Sequence, residues 1–209
     1  MRLAYDLLET VPIAGDPFPH LLVPGFVPAA GLVQVRADLP PISRRGSFPL
    51  TSLTLGPAAA ALMRELADSR FRDVIARRFG LDLRGAATML TLRGRSGERD
   101  GRIHCDSTAK RVTILLYLNP EQDCWARQEG CLRLLRGPDD IENYAVEVPP
   151  TNGTLLVFPN GPAAWHGHRQ YVGQRYVVQL NYMANDRAAR AELRRHRISA
   201  FFKRLRPAA

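Results

Sequence analysis

Apolar and polar positions follow two different periods along this chain. Between Pro57 and Gly80 the apolar residues Leu62, Leu66, Phe71, Val74, Ile75 and Phe79 recur mostly at three- and four-residue steps, which places them on one face of an amphipathic helix. Proline suits the first helical turn and glycine the stop, and Asp68-Ser69 offers a break within the run. From residue 86 the period drops to two. Thr88–Arg93, Val112–Leu118, Cys131–Leu135, Thr154–Phe158 and Tyr176–Tyr182 are short β-branched or apolar runs separated by clusters of Gly, Pro and Asn, the signature of closely spaced strands. Helices followed by several short strands predict an α+β fold: a jelly-roll (double-stranded β-helix) core with buttressing helices on one face.

The ends of the chain are read differently. Residues 1–55 are rich in Pro and Gly, with short apolar runs at Leu21–Val23 and Gly31–Val35 and a loop through Pro40-Pro41 and Ser43–Ser47. At the other end Asn185 suits a helix cap, Ile198, Phe201, Phe202 and Leu205 share one helical face, and Pro207 stops the run. With no internal repeat or linker, 1–209 is expected to be a single domain: 1–85 helical support, 86–183 the jelly roll, and 184–209 a basic C-terminal helix.

Composition narrows the function classes. At 209 residues, 45% hydrophobic and 23% charged, the chain can bury a core unaided and is not a disordered segment. No apolar run approaches the length of a membrane span, and Asp6 and Glu9 interrupt the N-terminus before a signal-like apolar stretch. Cys105, Cys124 and Cys131 form no CxxC pair, which argues against a disulfide framework or a cysteine zinc site and makes a reducing cytoplasm the expected location. Two-thirds of the net charge of +9 falls in the last 29 residues. That clustering suits a solvated helix face or a peripheral contact with a membrane surface or polyanion. Basic and aromatic residues do not interleave as in a nucleic-acid module, so no nucleic-acid partner is expected.

Candidate chemistry sits in Ile103-His104-Cys105-Asp106. On an extended segment residues two apart face the same way, so His104 and Asp106 can share one ion while Cys105 faces away. In a chain with five His such a tripeptide arises readily by chance, and a hydrogen-bonded His–Asp pair without metal is the plain alternative. Trp165-His166-Gly167-His168 supplies a further imidazole. Two His and one carboxylate leave the rest of a coordination sphere open, as in non-haem Fe(II) oxygenases. In the run Gly173–Tyr182, alternation places Arg175, Val177, Gln179 and Asn181 on one face and Tyr176, Val178, Leu180 and Tyr182 on the other. A buried face carrying Arg, Gln and Asn needs a polar pocket. There Arg175 would anchor a carboxylate through its fork, with Tyr117 as a second donor.

The joint pattern resembles the Fe(II)- and 2-oxoglutarate-dependent oxygenase superfamily, in its prolyl-4-hydroxylase-like branch. The matching pieces are His104-x-Asp106, Val112–Asn119, Glu129–Leu134, Gly153–Pro159, and Trp165-His166 followed by Gly173-Gln-Arg175-Tyr, in order over residues 88–183. The resemblance implies that His104, Asp106 and His166 hold Fe(II), that Arg175 and Tyr117 bind the far carboxylate of 2-oxoglutarate, and that Leu132 and Gln179 contact this cosubstrate. It favours His166 over His168 as ligand and leaves His168 a substrate-side or supporting role. It departs at Glu129-Gly130, where the family has paired glycines, a change expected to touch no ligand. The activity implied is hydroxylation of an unactivated C–H of a peptidyl residue, amino acid or small metabolite, with O2 as second cosubstrate and release of succinate and CO2. Ascorbate is compatible as an accessory reductant, and a carboxylate at Asp106 speaks against halogenation. The alternative reading is a non-catalytic carboxylate-binding jelly-roll sensor. Substrate choice falls to the mouth loops at Ser43–Phe48, Gly94–Arg102, Asn119–Glu129 and 137–152, where three arginines of the second loop suit an anionic substrate. Trp125, Trp165, His20 and His196 are read as packing or surface residues.

Overall fold

A computed structural model describes residues 2–122, 125, 127–184, 191 and 194. The described helices are α1 (Tyr5–Thr10), α2 (Ala29–Ala37), α3 (Pro57–Ala67) and α4 (Ser69–Phe79). The strands are β1 (Leu21–Val23), β2 (Phe48–Pro49), β3 (Thr88–Ser96), β4 (Lys110–Tyr117), β5 (Leu132–Leu135), β6 (Tyr144–Val148), β7 (Leu155–Pro159), β8 (His166–His168) and β9 (Gly173–Met183). The long helical pattern is two helices because Asp68 takes an extended conformation and caps the second, its carboxylate accepting from Arg70 N at 2.7 Å. Gly80, at φ +63°, ends α4 in the left-handed conformation that glycine adopts without a Cβ penalty.

Strand pairing gives a major sheet in the order β1-β7-β4-β9-β3-β2 and a minor sheet in the order β6-β5-β8, every ladder antiparallel. The two sheets form a double-stranded β-helix. Alternation on the major sheet divides the apolar side chains between two cores. Val112, Ile114, Leu116, Val178, Leu180 and Tyr182 join Leu62, Leu66, Phe71 and Ile75 in the core between sheet and helices. On the opposite face Tyr117, Leu156, Phe158 and Val177 meet Leu132, Leu134 and Val148 of the minor sheet. The helices therefore cover the outer face, and the inner face is left for a site.

Three features depart from the sequence pattern. The N-terminal segment read as helical support also supplies β1 and β2, the edge strands of the major sheet. The apolar run at Gly31–Val35 is the middle of α2, where Leu32 and Val35 are buried but Val33 is 65% exposed, so its periodicity is faint. The 137–152 connection contains β6, and Gly94–Ser96 continues β3, so neither is wholly a loop. Strand β6 is held by its charge. The guanidinium of Arg133, 0% exposed, pairs with Glu147 at 2.6 Å directly across the ladder and with Glu142 at 2.7 Å. A buried arginine survives because both carboxylates and the Ile141 carbonyl meet its donors. The proposed C-terminal helix, with Asn185, Ile198, Phe201, Phe202 and Leu205, lies outside the described residues, as do His196 and Cys124. No helix among the described residues is long and apolar enough to cross a membrane.

Candidate active site

His104 and His166 are brought together by backbone pairing. Each donates its N–H to the other's carbonyl at 3.0 Å, an isolated antiparallel bridge that continues the minor sheet beyond β8. Directly opposed residues share a face, and the two rings lie 4.3 Å apart between centroids. Asp106, two residues on, joins them: one ligand atom from each of His104, Asp106 and His166 lies within 4.8 Å of the others, and His168 is outside this group. Burial deepens across the trio, with His104 exposed and His166 4% exposed, so the group sits at the mouth of the barrel with one side open.

Hydrogen bonds fix the orientation of each side chain. His104 Nδ1 donates to Arg102 O at 2.8 Å and His166 Nδ1 to Ala164 O at 2.9 Å. A carbonyl only accepts, so Nδ1 carries the proton and Nε2 of each ring keeps its lone pair for a metal. Asp106 accepts from Lys110 Nζ at 2.7 Å and from Thr113 Oγ1 at 2.5 Å. Burial alone would push its carboxyl up; Lys110, His166 and these two hydrogen bonds outweigh burial and hold it below the ordinary carboxylate range. The donor set is two imidazoles, each with Nε2 turned away from its backbone partner, and one carboxylate on one side of a cavity, which fits a divalent first-row metal.

The cavity continues from this trio along the inner face of the major sheet. Cross-strand register puts Tyr117 beside Val177, Leu115 beside Gln179 and Thr113 beside Asn181. Arg175, Gln179, Tyr117 and Leu132 all line the cavity, as do Arg93 and His168. The face division read from the alternation of Gly173–Tyr182 therefore holds through the strand. Arg175 is 7% exposed; its Nε donates to Gly130 O at 2.9 Å, and no carboxylate of the described residues pairs with it. Burial pushes its guanidinium below the ordinary value, with Arg93 acting in the same direction. The Tyr117 hydroxyl is fully buried with no neighbour at good hydrogen-bond geometry; burial pushes its phenol up, opposed by the nearby Arg175 guanidinium, and keeps it protonated. A desolvated cation beside a buried hydroxyl, in a cavity that also holds three metal-type donors, offers hydrogen-bond donors that suit a carboxylate.

Other residues sort themselves by position. The side chain of Glu129 pairs with Arg127 and is not part of the cavity wall, while Gly130, the glycine the turn retains, bears on the site through its carbonyl, which holds Arg175. At φ +68°, with a Cβ there 2.9 Å from Tyr171 Cβ, this position takes glycine only. Asn119 locks β4 to β9 just ahead of Val177, its Oδ1 accepting from Tyr176 N at 2.6 Å and its Nδ2 donating to Tyr176 O at 3.0 Å. Lys110, Thr113, Asn119 and Arg93 carry no local motif; only the strand register assigns them here. His20 is buried against Phe18, Trp125 packs on Tyr171 and donates to Pro120 O, and half-buried Trp165 is not part of the cavity wall. Cys105 turns away to Pro162 O, as alternation requires.

The two inner histidines make the metal-free fold sensitive to acid. Burial pushes His166 down to about 4, reinforced by His104 and opposed by Asp106; burial and then Arg175 push His168 down to about 4. An unfolded chain takes up these protons near pH 6.5, whereas the fold refuses them until about pH 4, so the unfolded state binds more protons in between and stability falls as pH drops through that window. Denaturant unfolding of the metal-free chain should lose on the order of 2 kcal/mol per histidine between pH 7 and pH 5. A flat profile over that range would show that these rings titrate normally.

A double-stranded β-helix with two imidazoles and one carboxylate at its mouth and a buried arginine at the far end of the same cavity defines a class of protein, that of mononuclear non-haem metal folds. Residues 92–183 match the family model described as the 2OG-Fe(II) oxygenase superfamily. The match covers the strand-rich part of the chain, somewhat under half of its length, and over that part the chain is similar to the superfamily. Among solved structures it is similar to a Pseudomonas putida prolyl-4-hydroxylase, at 18% identity over 87% of this chain and 97% of that one, with a TM-score of 0.56. A Phytophthora capsici prolyl 4-hydroxylase aligns at 14% identity over 98% and 79% of the two chains, TM-score 0.57. A Trichoplax adhaerens prolyl hydroxylase, solved with a hypoxia inducible factor oxygen degradation domain peptide fragment, aligns at 18% identity over 91% and 90%, TM-score 0.50. Among curated proteins none matches.

Proposed function

We propose that the chain is an Fe(II)- and 2-oxoglutarate-dependent dioxygenase that hydroxylates an unactivated C–H of a peptidyl residue, amino acid or small metabolite in a reducing, cytoplasmic setting. The observation that carries this reading is one continuous cavity with His104, Asp106 and His166 at one end and Arg175 with Tyr117 at the other. In this reading His104 and His166 hold the metal through Nε2 and Asp106 holds it through a carboxylate oxygen. Bound iron, with 2-oxoglutarate and O2, supplies the oxidising chemistry, in which the cosubstrate leaves as succinate and CO2 and one oxygen atom goes to the C–H. Arg175 grips the far carboxylate and fixes the cosubstrate lengthwise, Tyr117 donates to the same group, and Leu115, Leu132 and Val177 exclude water along its length. No side chain need act as general acid or base.

The prime substrate approaches from the side where His104 is exposed. Asp100 joins two of the mouth segments there, pairing with Arg45 at 3.4 Å and Arg93 at 3.1 Å and accepting from Gly97 N at 2.8 Å. Arginines outnumber acids in both segments, which favours an anionic substrate or an acidic peptide. The peptide bound to the Trichoplax relative makes peptides the first group to test. The thiol of Cys105, in no disulfide, agrees with a reducing compartment. Incubation of the iron-loaded chain with 2-oxoglutarate, O2 and a panel of acidic and proline-containing peptides and amino acids should give substrate-stimulated succinate, with one oxygen atom gained by the substrate in mass spectrometry. No succinate above background with any compound, with 2-oxoglutarate bound but unconsumed, would favour the carboxylate-binding sensor.

A further inference from the structure

Lys110 has no part in the reaction as described, yet its ammonium lies 2.7 Å from Asp106 Oδ1, with the two side chains 11% and 7% exposed. The contact is built in. Lys110 N donates to Ser107 O at 2.9 Å, and the Asn160 side-chain amide reaches the carbonyls of Asp106, Ser107 and Lys110 at 3.2, 2.8 and 3.1 Å. The turn between ligand and lysine is thereby tied to the end of β7. Thr113 occupies the other oxygen of Asp106. Each carboxylate oxygen has two lone pairs, so a lone pair remains for a metal on either one while both hydrogen bonds persist. All but two of the 29 Lys+Arg residues are arginine, and one of the two lysines stands here.

We propose that Lys110 is a fixed counter-cation of the metal site: it positions Asp106 for ligation and at the same time weakens the binding of any divalent ion. This rests on the reading of His104, Asp106 and His166 as a metal centre. The carboxylate is already neutralised by a monovalent cation in the metal-free fold, and a bound divalent ion must share it at close range with a like charge. Charges this near one another in a poorly solvated site interact strongly. The consequence is a site whose metal exchanges, held closed in its empty state by the lysine.

The test measures Mn(II) binding to the full metal-free chain by the loss of the free-ion electron paramagnetic resonance signal, at one pH and ionic strength. Lys110→Met and Lys110→Gln keep most of the stem and lose the charge; both should tighten Mn(II) binding by about tenfold or more, as expected for removing a nearby like charge. Lys110→Arg retains the charge and should stay within about threefold of the parent. A lysine that served only to hold the turn would weaken binding when removed, so equal or weaker affinity in the neutral variants overturns the inference, as does tightening in Lys110→Arg. Failure of both neutral variants to fold also overturns it, since Lys110 is then architectural. If the parent chain binds no Mn(II), the metal centre itself falls, and that outcome is distinct from a parent that binds and variants that do not differ.

Discussion

Replacing Asp106 by Ala should abolish metal-dependent turnover and lower metal affinity more than any change outside the trio. Two imidazoles from neighbouring backbone positions remain, but the only anionic donor of the group is gone. Loss of the carboxylate leaves Lys110 as a cation with a side chain 11% exposed and no partner for the 2.7 Å contact it makes with Asp106. Breaking a pair this buried costs about 3–5 kcal/mol, so the Ala variant should also melt earlier. Asp106→Asn separates the effects: it keeps size, its single amide oxygen can still accept from Lys110 while its NH2 faces the Thr113 hydroxyl, which can turn to accept, and it offers a metal no charge. Both variants should lose turnover by a factor on the order of 10³ or more, with the Asn variant closer to the parent in melting temperature. Measured Mn(II) or Fe(II) affinity near that of the parent in Asp106→Ala would exclude this residue as a ligand.

Arg175→Met gives the second large effect, of a different kind. Among the described residues the guanidinium has no carboxylate partner, and burial already pushes it below its ordinary value. The described residues thus leave this cation without a carboxylate partner, which 2-oxoglutarate supplies in the proposed reading. Two charge-assisted hydrogen bonds of about 1.5 kcal/mol or more each correspond to a rise of roughly 10²-fold in the dissociation constant of 2-oxoglutarate. Tyr117→Phe, which removes one neutral donor, should cost nearer tenfold. Metal affinity should not change in either variant, because neither side chain belongs to the trio. The Met variant should be at least as stable as the parent without 2-oxoglutarate, since a desolvated charge has been removed, and its melting temperature should not respond to 2-oxoglutarate at concentrations that just saturate the parent. Retention of that thermal shift in Arg175→Met would assign the carboxylate to another cation, for which Arg93 is the nearest choice in the same cavity.

Which parts of this site were legible beforehand follows from the range of the signals. His104 and Asp106 lie two residues apart, and Arg175, Val177 and Gln179 alternate along one strand, so local period-two geometry was enough to aim them. His166 was distinguished from His168 only through family resemblance, and the physical reason lies in pairing: His166 bridges His104, whereas His168 is opposite Leu132. The contacts of Lys110 and Thr113 with Asp106, and of Thr113 with Asn181, depend on the β4–β9 register and on the turn before β4. A sequence pattern does not specify register between strands far apart in the chain. The hold of Gly130 on Arg175 is a backbone contact and leaves no side-chain signature. Strand β6 was hidden for a related reason: its burial is partial, and the arginine opposite Glu147 reads as a surface charge until the cross-strand pair is known.

That metal and cosubstrate meet in one cavity is tested most directly by anaerobic titration of the metal-free chain with Fe(II) and 2-oxoglutarate. The parent should develop a visible metal-to-ligand charge-transfer band that saturates at one iron per chain, requires both components, and is absent in Asp106→Ala. A parent chain that gives no band with saturating Fe(II) and 2-oxoglutarate, or one whose band survives intact in Asp106→Ala, would contradict it.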